Sequence, residues 1–130
     1  MKIIVHENNK YVLRFDRGEE VISSLQVFCG NESIKAGVFS GIGAVGEAVL
    51  SWYDHERKEL LDKTLNADLE VTGLTGNVSL MNNNINIHAH GSFSDSEMLG
   101  YGGHVKKMIV SGTCEIVLEK FESVMARNKD

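Results

Sequence analysis

Tyr11-Val-Leu-Arg-Phe-Asp16-Arg-Gly-Glu-Glu20-Val-Ile-Ser-Ser-Leu25-Gln-Val-Phe-Cys-Gly30 carries two periodicities in succession. Tyr11, Leu13 and Phe15 alternate with Val12, Arg14 and Asp16, the signature of a strand. Val21, Ile22, Leu25, Phe28 and Cys29 then recur at helical spacing, one face of a short amphipathic helix. Asp16-Arg-Gly-Glu19 between them reads as a turn with Asp16 available as a cap, and Gly30 stands where the helix should stop. Beyond it the patterns are those of strands, at 34–43, 46–54, 58–65, 68–80, 84–93 and 109–122. Turn signals fall at Asp54-His55, Asn66-Ala-Asp68 and Asn82-Asn-Asn84. One early helix and a later run of strands predict an α+β fold, its sheet largely antiparallel rather than doubly wound.

The chain has 130 residues, read as one domain over 1–130 with a polar tail expected to fray from about residue 123. Hydrophobic content of 42% and charged content of 24% are ordinary for a globular protein. Cys29 and Cys114 form no C-x-x-C and sit among apolar neighbours, which predicts buried free thiols and a reducing, cytoplasmic setting. Neither has the context of a catalytic thiol. The apolar run at Met1-Lys-Ile-Ile-Val5 is too short for a signal peptide, and no stretch reaches the length of a membrane span.

Net charge is −5. Non-specific nucleic-acid binding rests on Lys and Arg meeting phosphates, and the basic clusters here, Lys106-Lys107 and Arg127-Asn-Lys129, are small. Both are read as solvated surface. Composition argues against DNA as the main partner.

The chemistry-bearing pattern is a trio of histidines. His88 and His90 alternate with Ile85, Ile87, Ala89 and Phe93, so both imidazoles share the face opposite that apolar row. Their Cα atoms should lie roughly 6.5 Å apart, close enough to converge on one ion. His104 follows in Gly102-Gly-His-Val105, beyond a turn. Three histidines with an open fourth position make a known catalytic type of zinc site. The plain alternative is a set of solvated imidazoles on a polar strand face.

Gly41-Ile-Gly-Ala-Val-Gly46 matches the dinucleotide fingerprint, but that motif needs a helix to begin at its third glycine. Ala48-Val-Leu-Ser-Trp-Tyr53 is β-prone instead, so these glycines are expected to mark a bulge, a close backbone approach or a subunit contact. Asp95, Glu97 and Glu115 are the acids nearest the histidines in sequence, open to a role beside a metal but read first as surface charges. His6 and His55 read as surface, and Trp52 and Tyr53 as core or interface.

Tyr11–Glu20, Gly37-Val-Phe-Ser-Gly-Ile-Gly-Ala-Val45, Leu69-Glu-Val-Thr-Gly-Leu-Thr-Gly-Asn-Val-Ser79, Ile87-His-Ala-His90, Gly102-Gly-His-Val105 and Gly112-Thr-Cys-Glu-Ile-Val117 together resemble the PPC (plants and prokaryotes conserved) domain family in its bacterial and archaeal form. The resemblance runs through nearly the whole chain in order. It implies a curved mixed sheet closing on one main helix, with fold-level similarity to acetolactate decarboxylase, and assembly as a homotrimer. It also implies a zinc ion at His88, His90 and His104. Plant members lack these histidines and grip DNA through a separate AT-hook; this chain has no Arg-Gly-Arg core and no proline, which counts against direct plant-style DNA binding.

Three function classes follow. The first is a metal-binding protein, with a zinc-dependent enzyme of lyase or hydrolase type acting on a small molecule as its catalytic form. The second is a regulatory module contacting DNA or protein, in line with the family's label of predicted DNA-binding proteins. In the third the histidines are only structural. The expectation carried forward is a metal-binding member of this family.

Overall fold

The computed structural model describes residues 1–128. Among them are one α-helix and seven strands: β1 (Lys2–Glu7), β2 (Lys10–Asp16), α1 (Val21–Asn31), β3 (Gly37–Asp54), β4 (Glu59–Met81), β5 (Asn84–Ser94), β6 (Gly100–Lys120) and β7 (Ala126–Arg127). They form a single sheet in the order β1-β2-β6-β3-β4-β5, with β7 on β4 and an additional pairing between β5 and β6. That last pairing joins β6, β3, β4 and β5 into a closed ring. All pairings are antiparallel except β7 with β4, so the α+β reading with a mixed, largely antiparallel sheet holds. No helix among the described residues is long and apolar enough to cross a membrane.

Alternation decides which face is buried. Tyr11, Leu13 and Phe15 point into the core, as do Ala89 and Phe93, Ile116 and Leu118. α1 covers this face with Val21, Leu25, Phe28 and Cys29. Its cap is Glu20 rather than Asp16. The Glu20 carboxylate accepts from the N–H groups of Ile22 (2.9 Å) and Ser23 (2.8 Å), and from the Met108 N–H of β6 (3.0 Å). One side chain thus satisfies orphan helix donors and ties the helix start to the sheet. The helix runs past Gly30 to Asn31, and the left-handed residue beyond it is Ser33 (φ 55°).

Three expected boundaries dissolve, the first being the break between 43 and 46, which lies inside the continuous strand β3 where bulges take up the glycines. Asn66-Ala-Asp68 lies within the continuous strand β4, and the register shift opposite it between Val45 and Glu47 absorbs the irregularity. β6 begins at Gly100, not near 109. The tail also differs from expectation over its first part: the Leu80 N–H donates to the Met125 carbonyl (2.8 Å), and Ala126 and Arg127 pair with Leu80 and Met81. Residues 129 and 130 of the expected frayed tail lie outside the described residues.

The glycines of the fingerprint-like motif lie inside β3. A Cβ on Gly43 would stand 2.4 Å from the Thr113 carbonyl oxygen and 2.6 Å from the Cys114 Cα. The motif is therefore a close approach of β3 to β6 with bulges on either side, and no helix follows it.

Candidate metal centre

β5 and β6 pair at His90↔His104, and β4 and β5 at Thr75↔His90 and Asn77↔His88. Residues directly opposite each other in an antiparallel pair project from one face. β3 extends the row, since Ser51 lies opposite His104 on one side and Asp62 on the other. Ring closure thus aligns Thr75, His90, His104, Ser51 and Asp62 on the face away from Ala89 and Phe93. Met81 shares that face by alternation from Asn77, and parallel pairing brings Arg127 to it as well.

The three imidazoles meet there. Ring centroids lie 5.1 Å apart for His88 and His90, 5.4 Å for His88 and His104, and 5.4 Å for His90 and His104. One ring nitrogen from each lies within 4.8 Å of the other two. Zinc at about 2.0–2.1 Å from each nitrogen sets tetrahedral ligands about 3.3 Å apart, a closure within reach of small side-chain rotations. Three nitrogen donors with no thiolate or carboxylate among them suit zinc and similar divalent ions. The donor set fits the metal that the sequence resemblance implies.

Burial and neighbouring positive charge favour the neutral form of His88 and His104. Burial, then the positive Arg127 and the neighbouring imidazoles, hold His88 below the usual histidine range. Burial followed by His90, Lys106 and Arg127 does the same for His104, with Asp62 opposing. A neutral imidazole has the lone pair a metal needs.

Three neighbours, Ser51, Asp62 and Arg127, are not legible in the sequence as parts of the site. Ser51 Oγ donates to Asp62 Oδ1 (2.7 Å) and Lys106 Nζ to Asp62 Oδ2 (2.7 Å). Those bonds, Lys106 first, hold the Asp62 carboxyl below the usual carboxylate range. Arg127 Nη1 lies 2.8 Å from His88 Nδ1. A guanidinium only donates, so Nδ1 accepts and the neutral ring carries its proton on Nε2. His88 then has no lone pair left for a cation: the Arg127 contact and metal ligation by His88 exclude each other.

The histidines open into a cleft of about 670 Å³ lined also by Ser51, Trp52, Tyr53, Met81, Asn86 and Arg127. Trp52 and Tyr53 are 64% and 43% exposed, which removes the core reading and makes them cleft wall. The acids flagged in sequence lie elsewhere. Asp95 closes its own loop, accepting from the N–H groups of Glu97 (2.9 Å) and Leu99 (3.1 Å) and from the Tyr101 hydroxyl (3.1 Å). Glu97 is exposed, and Glu115 lines a different depression with Ile42 and Thr72. His6 stacks on Tyr11 and His55 meets Tyr53 edge-on, both exposed. Burial pushes the Cys29 thiol up to about 12 and Cys114 to about 11, so both are inert, free thiols.

The Plants and Prokaryotes Conserved (PCC) domain matches residues 4–122, the family whose resemblance the motifs carry. Among solved structures, a candidate DNA-binding protein of Bacteroides thetaiotaomicron is 32% identical with TM-score 0.89, the match covering 92% of this chain and 84% of that one. A plant- and prokaryote-conserved protein of Pyrococcus horikoshii is 30% identical with TM-score 0.89, covering 95% and 86%. A metal-containing protein of Archaeoglobus fulgidus is 32% identical with TM-score 0.86, covering 99% and 91%. Alpha-acetolactate decarboxylase of Bacillus subtilis shares the fold alone, at 10% identity and TM-score 0.60, covering 92% of this chain and 55% of its own. No curated protein sequence matches.

Proposed function

The chain belongs to the Plants and Prokaryotes Conserved (PCC) domain family, and from that premise we propose that it is a metal-binding protein whose His88, His90 and His104 hold one zinc ion. The observation that carries this reading is the convergence of three ring nitrogens within 4.8 Å at the wall of an open cleft. Elemental analysis of protein purified without chelator or affinity tag tests it. Near-stoichiometric zinc supports the reading; protein that neither carries nor takes up zinc overturns it.

The cleft favours an enzyme over a purely structural ion. Structural zinc sites are closed by four protein ligands, whereas the donor set among the described residues is three. When bound, zinc would supply Lewis-acid polarisation of a small molecule's oxygen. Lyase- and hydrolase-type chemistry both fit that capacity. The reduced, buried Cys29 and Cys114 suit a cytoplasmic protein.

We also place the chain in a homotrimer. Val38, Ile42 and Val117 are 43%, 60% and 50% exposed on neighbouring strands, an apolar area better suited to a subunit contact than to water. Sedimentation equilibrium at micromolar concentration should return three times the chain mass. A monomer mass across that range overturns the assignment.

Duplex DNA is not expected to bind tightly. Non-specific binders show dissociation constants of about 0.1 mM to 1 µM at physiological salt through Lys and Arg contacts to phosphate. Net charge is −5, while Lys106 and Lys107 already pair with Asp62 (2.7 Å) and Glu47 (3.2 Å). Titration of labelled duplex at about 0.15 M salt should show no binding tighter than that range. Nanomolar binding with a steep salt dependence would promote the regulatory reading.

A further inference from the structure

The wall of the histidine cleft bears the positive charge of Arg127. Among the described lining residues there is no Asp or Glu. Lys106, whose charge also reaches His104, is already paired with Asp62 at 2.7 Å. Arg127 forms no ion pair with any described residue, and its Nη1 lies 2.8 Å from the Nδ1 of His88. When His88 turns its lone pair to a metal, that contact is lost and the guanidinium is left beside the ligands with its donors free.

Part of the wall around this charge is apolar. Trp52, Tyr53, Leu60, Met81 and Ile87 contribute to its lining. A volume of about 670 Å³ suits a small organic molecule. Inorganic phosphate could meet the guanidinium but would leave the apolar wall unused. A carboxylate on an apolar body uses both, because arginine's fork matches the two carboxylate oxygens.

We propose that this cleft binds a small organic carboxylate, anchored by Arg127 and packed against the Trp52 wall, beside the histidine metal centre. The assignment rests on the metal reading for the release of Arg127 from His88, and on the cleft's own lining for the choice of anion.

Benzoate, benzamide and inorganic phosphate are the probes, and Trp52, the single tryptophan of the chain, is the reporter. In zinc-loaded protein, benzoate should change the tryptophan fluorescence saturably, while the neutral isostere benzamide and phosphate bind at least about tenfold more weakly. Arg127→Met should lose benzoate affinity by about tenfold or more, as expected when a charge-assisted contact is removed. The same variant should keep one zinc per chain and the wild-type melting temperature, because Arg127 is exposed on a two-residue edge strand. It should also take up zinc a few-fold more tightly without benzoate, since a competing donor and a like charge are gone. Equal binding of benzoate and benzamide, equal binding of phosphate, no saturable benzoate signal, or undiminished benzoate binding by Arg127→Met each overturns the proposal. Zinc content is measured on the same samples, so the two readings fail separately. Bound zinc without anion selectivity removes this inference alone. Arg127-dependent benzoate binding in protein that takes up no zinc removes the metal reading and the release of Arg127 by ligation, and leaves the carboxylate site standing on Arg127 and the cleft lining alone.

Discussion

A protein carrying both His88→Ala and His104→Ala is expected to lose its zinc. Zinc binding at protein sites is worth about 10–16 kcal/mol where four ligands share it, so removing two of three protein ligands should weaken binding by three orders of magnitude or more. The remaining His90 is the most exposed of the trio and holds no ion alone. The fold should survive. All three rings stand on the face away from Ala89 and Phe93, and substitutions at such half-exposed positions usually change stability by less than about 0.5 kcal/mol each. The measurements are zinc titration by competition with a chromogenic chelator, and thermal unfolding of the metal-free forms of both proteins. A double variant that binds zinc as tightly as the parent would sink the assignment. A variant that loses zinc and also melts far below the metal-free parent would make the trio part of the core, contrary to the structure.

The second large effect is expected at Gly76. A Cβ built there would lie 2.3 Å from the His88 carbonyl oxygen and 2.3 Å from Phe39 Cζ. Both contacts are far inside van der Waals distance, and one is backbone, so β5 must move away from β4 or Phe39 must leave its packing. Overpacking of this kind typically costs about 1–3 kcal/mol, and Gly76→Ala belongs at the upper end. The displaced backbone is that of His88, so the variant should also bind zinc more weakly. Gly46→Ala is the matched control. Its Cβ would meet Ser111 Cβ at 3.5 Å and Asp68 Oδ1 at 3.9 Å, ordinary contacts, and its φ is not positive. That change should be neutral or stabilise by about 0.4–1 kcal/mol through the unfolded chain. Chemical denaturation of the two variants decides it; a Gly76→Ala protein as stable as Gly46→Ala would show that β4 and β5 have room the structure denies.

How far the site was legible follows from which interactions are local. His88 and His90 share a face because of strand periodicity, which a short window of sequence contains. The early helix and the burial of Tyr11, Leu13 and Phe15 are legible for the same reason. Gly100, Gly102 and Gly103 weaken any strand pattern, yet they lie in β6: a Cβ on Gly102 would stand 3.2 Å from the Gly91 carbonyl oxygen, and one on Gly103 3.0 Å from that of Ser51. Tertiary crowding selects glycine there, and propensity alone reads it as turn. Asp62 and Ser51 reach the histidine row only through pairing with strands distant in sequence, so no spacing rule nominates them. Arg127 was read as solvated tail because β7 is two residues long and owes its position to the edge of β4. Asp95 and Glu97 were flagged for nearness along the chain, but their loop folds upon itself.

The β5–β6 pairing has a consequence in time. His90 pairs with His104 across a hairpin whose turn spans residues 95–99, and His88 lies on the same strand. The β3–β6 pairing, by contrast, brings Gly37 opposite Lys120, so closing the rest of the ring must overcome the entropy of a long loop. Contact order therefore predicts that the three nitrogen donors assemble through an early, local event, with Arg127 arriving when β7 docks on β4. On that order an ion that grips the hairpin is expected to accelerate folding, and a ligand that engages Arg127 to slow unfolding, which stopped-flow refolding with and without each would read.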